Sequence, residues 1–298
     1  MLTMNSDISI VICTYNKFKA FQKTIKAIQE FHWKNFELII VNNNSTDETG
    51  KYCSSLADFF ANSEVSLTYI FEPQMGLSKA RNAALNGTLS KWLILLDDDC
   101  IPESQFLQAY RRLITKYPQC KLAGGPIRVR WSEEGKPSWL PSDFEWIYGA
   151  IENETSGDKT IRFLRKNETV NGGNFLVHRE TLLSLKGFNE NLGHVGEKEG
   201  GNEEHFIVQT LKKKFPDGLF WVPDAVVVHH FPLERLNLRY AEERSKTAGY
   251  DRAKSDLYQK RYIQIFLRVV WYIIKIPRTN SSICASYYRG YINFFIRK

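Results

Sequence analysis

The 298-residue sequence lacks several common signatures. It has no CxxC pair, no GxxxxGK[ST] loop, no GxGxxG turn and no apolar run of 18 residues. Its five cysteines, Cys13, Cys53, Cys100, Cys120 and Cys284, are scattered and odd in number. That pattern argues against a zinc ribbon or disulfide framework and for a reducing compartment. Without the two glycine motifs, ordinary nucleoside-triphosphatase and dinucleotide-binding readings lose their support. Without a long apolar run, a membrane-spanning helix is not expected. Residues Met1–Asp7 have no basic start, and Ile8–Cys13 is too short for a signal peptide. Acidic residues are absent from Lys260 to Lys298, where eight Lys or Arg occur. The whole chain carries +7, so the part before Lys260 is about neutral. A nucleic-acid binder would spread its cations over a docking face, so no nucleic-acid partner is expected. Basic residues mixed with Trp, Tyr, Phe and Ile fit an anionic membrane surface better. What remains is ordinary: 43% apolar and 24% charged residues, enough for a substantial core.

The first half alternates short apolar runs with helical spacings. Strands are expected at Ile8–Cys13, Phe36–Val41, Leu67–Phe71 and Trp92–Leu96, and helices at Phe18–Phe31, Asp47–Phe60 and Leu77–Leu85. Such alternation predicts a mostly parallel sheet flanked by helices, with ligands at the carboxyl ends of its strands. The clusters Asn42–Asp47 and Asp97–Asp99 both fall at such ends. The second half is less regular. Leu122–Arg130 reads as one strand with a glycine bend, and Asn171-Gly172-Gly173-Asn174 as a turn beside a strand. Gly193 through Gly201 reads as a glycine-rich loop able to close over substrate. Glu203–Lys214 reads as a helix, and Leu219–Val222 and Ala225–Val228 as strands leading to His229.

Asp97, Asp98 and Asp99 in succession raise one another's pKa unless a cation relieves them. Hard oxygen ligands of this kind suit Mg²⁺ or Mn²⁺ on a diphosphate; a solvated acidic turn capping the next helix would look the same. Glu203-Glu204 either complements a helix dipole or supplies a general base. His229 at a strand end is a structural residue or a third metal ligand. Arg81 is a phosphate clamp or a salt-bridge partner. Asn174 sits in a turn whose backbone suits a sugar, or in a plain hairpin.

Together these residues resemble the family 2 glycosyltransferases of the GT-A fold. Ser9-Ile10-Val11-Ile12-Cys13-Thr14-Tyr15-Asn16 looks like that family's first strand and nucleotide loop, and Glu37 through Asp47 like its second strand and turn. Gly76 through Asn82 is similar to its G-x-x-x-A-R-N helix. Asp97-Asp98-Asp99 stands where a metal-binding DxD motif is expected. Gly201 through Glu204 resembles the catalytic-base segment, and Val222 through His229 the strand ending in a metal-binding histidine. The match runs from about residue 8 to about residue 250. It implies a Rossmann-like GT-A domain over 1–250, with a nucleotide-binding half over about 1–120 and an acceptor-binding half over about 121–250. It implies an inverting, hexosyltransferase-like enzyme that uses a nucleotide-diphosphate sugar and a glycan or lipid-linked acceptor, in bacterial surface polysaccharide synthesis. Thr14, Tyr15, Asn16, Asn42, Asn43, Arg81, Asp97, Asp98 and Asn174 would bind the donor. Asp97, Asp99 and His229 would hold Mn²⁺ or Mg²⁺, and Glu204, with Glu203 as its competitor, would be the base. Asn42 and Asn43 stand where many relatives carry an acidic residue, which weakens the case for uracil as the base. A sugar-phosphate nucleotidyltransferase is the rival enzyme, disfavoured by the lack of glycine in residues 13–20; a non-catalytic sugar- or membrane-binding module is the other alternative.

Residues 251–298 form a separate basic, aromatic extension in this reading. Arg261 to Ile276 reads as one helix stopped by Pro277. Arg261, Gln264, Arg268, Tyr272 and Lys275 share one narrow stripe, and apolar residues cover the rest. Ile263–Ile276 would be about 21 Å long, short of a ~30 Å hydrocarbon core. Two readings stay open: burial against the catalytic domain or a second subunit, and an in-plane anchor on an anionic membrane. The second places the protein in the cytoplasm, peripheral on the inner face of the cell membrane. The oligomeric state is open.

Overall fold

The computed structural model describes residues 6–61, 63–153, 159–193, 195–196 and 203–296. Most of the expected glycine-rich closing loop, and the basic pair at 297–298, lie outside the described residues. The chain runs β1 (Ile8–Thr14), α1 (Phe18–Gln29), β2 (Glu37–Asn42), α2 (Thr49–Phe60), β3 (Ser66–Phe71), α3 (Leu77–Gly87), β4 (Trp92–Leu96), β5 (Cys100–Pro102) and α4 (Phe106–Lys116). It continues through β6 (Leu122–Gly124), β7 (Ile127–Val129), a 3-10 helix (Ser142–Tyr148), β8 (Arg162–Phe163), β9 (Asn174–His178), α5 (Arg179–Ser184) and α6 (Glu203–Lys214). Then follow β10 (Leu219–Trp221), β11 (Val227–His229), α7 (Leu238–Tyr258), α8 (Tyr262–Lys275) and α9 (Ser282–Ile296).

The main sheet has the order β3-β2-β1-β4-β9-β6-β10-β8. β1 pairs in parallel with β2 and β4, β2 with β3, and β6 with β10. β9 lies antiparallel between β4 and β6, and β8 is antiparallel on β10. The continuous apolar runs of β1, β2 and β4 follow from burial on both faces. Ile10, Ile12, Ile40 and Ile94 meet Phe21, Ile25 and Ile28 of α1 on one face. Val11, Ile39, Val41, Leu93 and Leu95 meet Ala80, Ala84 and Leu85 of α3 on the other. Phe21, Ile25 and Ile28 are fully buried, each contributing ~1.5–3 kcal/mol by leaving water.

A second sheet, β5-β11-β7, sits beyond the carboxyl ends of β4 and β6. The single bent strand expected over Leu122–Arg130 is two strands, because the bend at Gly124-Gly125-Pro126 hands the chain from the main sheet to this one. β5 was not expected. Its antiparallel register sets Cys100 opposite His229, so the acidic turn before β5 and the end of β11 become neighbours.

α7 runs unbroken across residue 250 and packs along α9. Its inner face is the four-spaced stripe Ala241, Ser245, Gly249 and Ala253. A Cβ on Gly249 would overlap the Tyr287 carbonyl, and one on Gly290 the Lys246 carbonyl. Both glycines are needed for this close crossing.

Candidate active site

A cleft of about 450 Å³ opens at the carboxyl ends of β1 and β4, within the usual range for small-molecule sites. Thr14, Tyr15 and Asn43 line it from the strand ends, and Asp97, Asp98, Asp99 and His229 from the junction of the two sheets. Glu203, Glu204 and Arg81 form another wall, and Arg235, Tyr240, Arg244 and Asp251 approach from the C-terminal part of the chain.

Asp98 and Asp99 are buried immediately after β4. The Lys17 ammonium sits 3.2 Å from Asp98 Oδ1 and 2.8 Å from Asp99 Oδ2. His229 Nε2 is 3.4 Å from Asp99 Oδ1. Burial alone would raise the Asp99 pKa, but Lys17 and His229 hold it well below the usual carboxylate range. Burial pushes Asp98 up to about 6 against the pull of Lys17. His229 Nδ1 lies 2.6 Å from the Tyr148 carbonyl. A carbonyl only accepts, so Nδ1 donates, which leaves Nε2 facing Asp99; burial would lower the His229 pKa, but the Asp99 carboxylate raises it above its ordinary value, and Nε2 offers a lone pair once that proton leaves. That arrangement is common behind metal-ligating imidazoles. Carboxylate oxygens of Asp97 and Asp99 lie with Cys100 Sγ inside a 4.8 Å cluster. Burial pushes the Cys100 thiol well up, and a soft sulfur suits a hard cation such as Mg²⁺ or Mn²⁺ less well than carboxylate oxygen. The carboxylate oxygens and the His229 Nε2 fit a hard divalent cation.

Arg81, buried on α3, joins the acidic turn to the glutamate pair. Its Nη1 is 2.9 Å from Glu203 Oε1 and 2.9 Å from Glu204 Oε1, and its Nη2 is 3.3 Å from Asp97 Oδ1. Glu204 Oε1 also accepts from the Gly172 N–H at 3.2 Å. A methyl on Gly172 would overlap both Arg81 and Glu204, so the Asn171–Asn174 turn needs glycine here for packing. The two glutamates differ sharply. The Glu203 side chain is 2% exposed, and burial, reinforced by Glu204, pushes its pKa up to about 8. Glu204 is 14% exposed; burial opposes its charge, but Arg81 and hydrogen bonds to the carboxylate lower its pKa below the usual value. Near neutral pH the arrangement is therefore a protonated Glu203 beside an ionised Glu204.

Several expected donor contacts have other partners. The Asn174 side chain is fully buried, donating to the Pro126 and Ala225 carbonyls and accepting from Tyr110. Asn42 donates to Tyr69 Oη and accepts from the Ser45 N–H. Asn16, in the left-handed region at φ 51°, accepts from the Thr46 N–H and ties the first loop to the second. None of these three lines the cleft. Asn43 does, while its amide braces Glu72, Gln74 and Gly76. Lys17 and the α7 residues were not singled out from sequence. Lys17 reads as a surface lysine in a turn, whereas the small-residue stripe of α7 was a legible sign of a packed helix.

The sequence profile of Glycosyl transferase family 2 matches residues 9–183. A glucosyl-dolichyl phosphate glucuronosyltransferase of Haloferax volcanii is 21% identical over 252 residues, covering 84% of this chain and 77% of its own. A solved mannosyltransferase of Pyrobaculum calidifontis, in complex with GDP-Man and Mn²⁺, superposes with a TM-score of 0.59 at 17% identity. That match covers 84% of this chain and 64% of the other. GalNAc-T7, solved with UDP, GalNAc and Mn²⁺, superposes at 0.57 and 16% identity over 98% of this chain and 56% of its own. The chain thus spans less than two thirds of either solved neighbour. The shared architecture is the GT-A fold.

Proposed function

Because the chain belongs to glycosyl transferase family 2, a family of transferases, we propose that it moves a sugar from a nucleotide-diphosphate sugar to a hydroxyl of a glycan or lipid-linked acceptor, inverting the anomeric centre. The observation that carries this reading is the pairing, in one cleft, of an ionised, partly open Glu204 with the Asp97, Asp99 and His229 donor set. Asp97, Asp99 and His229 would hold Mn²⁺ or Mg²⁺, which when bound neutralises charge developing on the diphosphate leaving group.

Glu204 takes the proton of the acceptor hydroxyl as that oxygen attacks the anomeric carbon. One base and one displacement invert the centre. Arg81 keeps Glu204 ionised and, with the Gly172 N–H, fixes where its carboxylate points. Glu203 is the poorer base, since a buried carboxyl with a pKa of about 8 is mostly protonated at neutral pH. Thr14, Tyr15 and Asn43 receive the nucleotide at the strand ends, the usual ligand position in such sheets.

A lipid-linked acceptor at the inner face of the cell membrane, in surface polysaccharide assembly, completes the reading. Its support is the basic C-terminal segment and the dolichyl-phosphate-linked substrate in the name of the Haloferax relative. Donor hydrolysis over a panel of nucleotide sugars, with Mn²⁺, Mg²⁺ or EDTA, tests the proposal. Cation-dependent release of a nucleoside diphosphate is expected. Release of no nucleotide from any donor would overturn it.

A further inference from the structure

α8 is turned inside out relative to an ordinary amphipathic helix. The centre of its polar stripe, Arg261, Arg268 and Tyr272, faces the protein, while Gln264 and Lys275 and most of its apolar residues face outward. Ile263 is 75% exposed, Phe266 67%, Leu267 60% and Ile273 57%, and Val270, Trp271 and Ile274 are exposed beside them. Tyr272, from the polar stripe, is the buried residue of the helix.

The cause is Asp256, fully buried near the end of α7. Its Oδ2 takes an ion pair from Arg268 and a hydrogen bond from Tyr291 Oη at 3.0 Å. Its Oδ1 lies 3.4 Å from Arg252 Nε and 3.6 Å from Arg261 Nη1. Arg261 and Arg268 sit on the stripe of α8, so the buried carboxylate draws that stripe inward. Arg261 also donates to Gln209 of α6 at 3.2 Å, fastening the start of α8 to the helix that carries the glutamate pair. The apolar face is left outward by this ionic core.

We infer that the outward face of α8 is a docking surface for an anionic lipid bilayer, on which the helix lies in the plane of the headgroups. Two observations select lipid over a second copy of this chain. The first is charge. Lys260, Lys275 and Arg278 are exposed at the ends of the helix, Arg289 is exposed on α9, and none pairs with a carboxylate among the described residues. A twofold partner offering the same face would bring like charges together with no acid to balance them, whereas anionic headgroups neutralise them. The second is geometry. Lys275 Nζ stands 5.4 Å over the Trp271 ring, an apolar body with a cationic rim suited to the interface. No helix among the described residues is long and apolar enough to cross a membrane, so the helix lies flat. α7 lines the cleft through Tyr240, Arg244 and Asp251, and Asp256, which anchors α8, lies little more than one turn beyond Asp251. Docking therefore sets the acceptor side of the cleft close to the lipid. This goes beyond the proposed transfer reaction and does not depend on it.

The test is co-sedimentation of the full chain with phosphatidylcholine vesicles containing or lacking 30% phosphatidylglycerol. Wild type should pellet with the anionic vesicles and stay largely in solution with the neutral ones. Ile263→Ser/Phe266→Ser/Leu267→Ser alters only exposed positions, so it should keep the wild-type circular dichroism and melting temperature yet lose pelleting. Lys275→Glu/Arg278→Glu should weaken partitioning at least tenfold, since each basic residue near such a surface is worth about fivefold. Donor hydrolysis in solution should be the same for all three proteins; its absence from all three would count against the transferase reading alone. The docking proposal is overturned if wild type ignores anionic vesicles, if the serine variant pellets as well as wild type, or if wild type is a dimer that the serine variant dissociates while neither binds lipid.

Discussion

Arg81→Met removes one positive charge and keeps much of the volume of a buried side chain. At neutral pH the guanidinium faces an ionised Glu204, a mostly protonated Glu203 and Asp97. The Asp97 side chain is 38% exposed, so water takes over much of its share. The main loss falls on Glu204. Breaking a buried ion pair typically costs ~3–5 kcal/mol, but Glu204 has an escape, because it can bind a proton. Its ordinary pKa is 4.5, so protonation at pH 7 costs about 3 kcal/mol, and at pH 5 less than about 1 kcal/mol. The sign follows from linkage. In wild type the lowered Glu204 pKa gives stability that is present above 4.5 and lost as pH falls. In the variant a raised pKa reverses this, and stability is lost as pH rises. Urea unfolding should therefore show the variant's midpoint ~1 M or more below wild type at pH 7, with the gap narrowing by several tenths of a molar at pH 5 as protonating Glu204 becomes cheap, for a slope of ~3 kcal/mol per M. The acid limb of donor hydrolysis should also move to higher pH, because Glu204 must lose a proton it now holds more tightly. Equal midpoints and an unmoved acid limb, with donor affinity weakened more than tenfold, would refute this reasoning and return Arg81 to the role of a diphosphate clamp.

Glu204→Gln should bind donor normally in calorimetry while transfer falls by roughly 10²–10⁴-fold; a dead Glu203→Gln with an active Glu204→Gln would reverse the assignment. Glu203→Gln should flatten stability against pH. The wild-type carboxyl, with a folded pKa of about 8 against an ordinary 4.5, gives stability that is complete below 4.5 and lost towards 8, and urea midpoints at pH 5 and pH 8 read the difference. Asp99→Ala should abolish Mn²⁺-dependent donor binding, and unchanged binding in EDTA would remove the metal from the reading. Lys17→Met should tighten Mn²⁺ binding to the donor-free protein several-fold, because the cation no longer meets an ammonium between Asp98 and Asp99; electron paramagnetic resonance of free Mn²⁺ checks it, and an unchanged affinity would refute it.

The N-terminal half of the sheet was legible because burial on both faces leaves β1, β2 and β4 as uninterrupted apolar words, each ended by a polar cluster. Asp97–Asp99 and His229 could be named for the same reason, although nothing local to either segment places them side by side. That neighbourhood arises from β5, three residues long and without a pattern of its own. Arg81 could be singled out as a phosphate clamp or a salt-bridge partner, but two of its three carboxylate partners, Glu203 and Glu204, lie more than a hundred residues away in α6, beyond any local spacing rule. In α8 the stripe was readable and its direction was not, because a buried Asp256 outside the helix decides which face turns inward.

The crossing of α7 and α9 at Gly249 and Gly290 bears on how the molecule would behave at a bilayer. A seam made of backbone against backbone depends on shape and dispersion, and needs no contrast between oil and water. It should therefore hold its angle whether the neighbouring medium is aqueous or lipid. α7 would then act as a rigid spar, with the cleft along its length from Tyr240 to Asp251 and α8 at its C-terminal end. A protein mounted in this way meets the membrane at one fixed tilt, and the reach of its cleft above the headgroups becomes a molecular ruler for the acceptors it can serve.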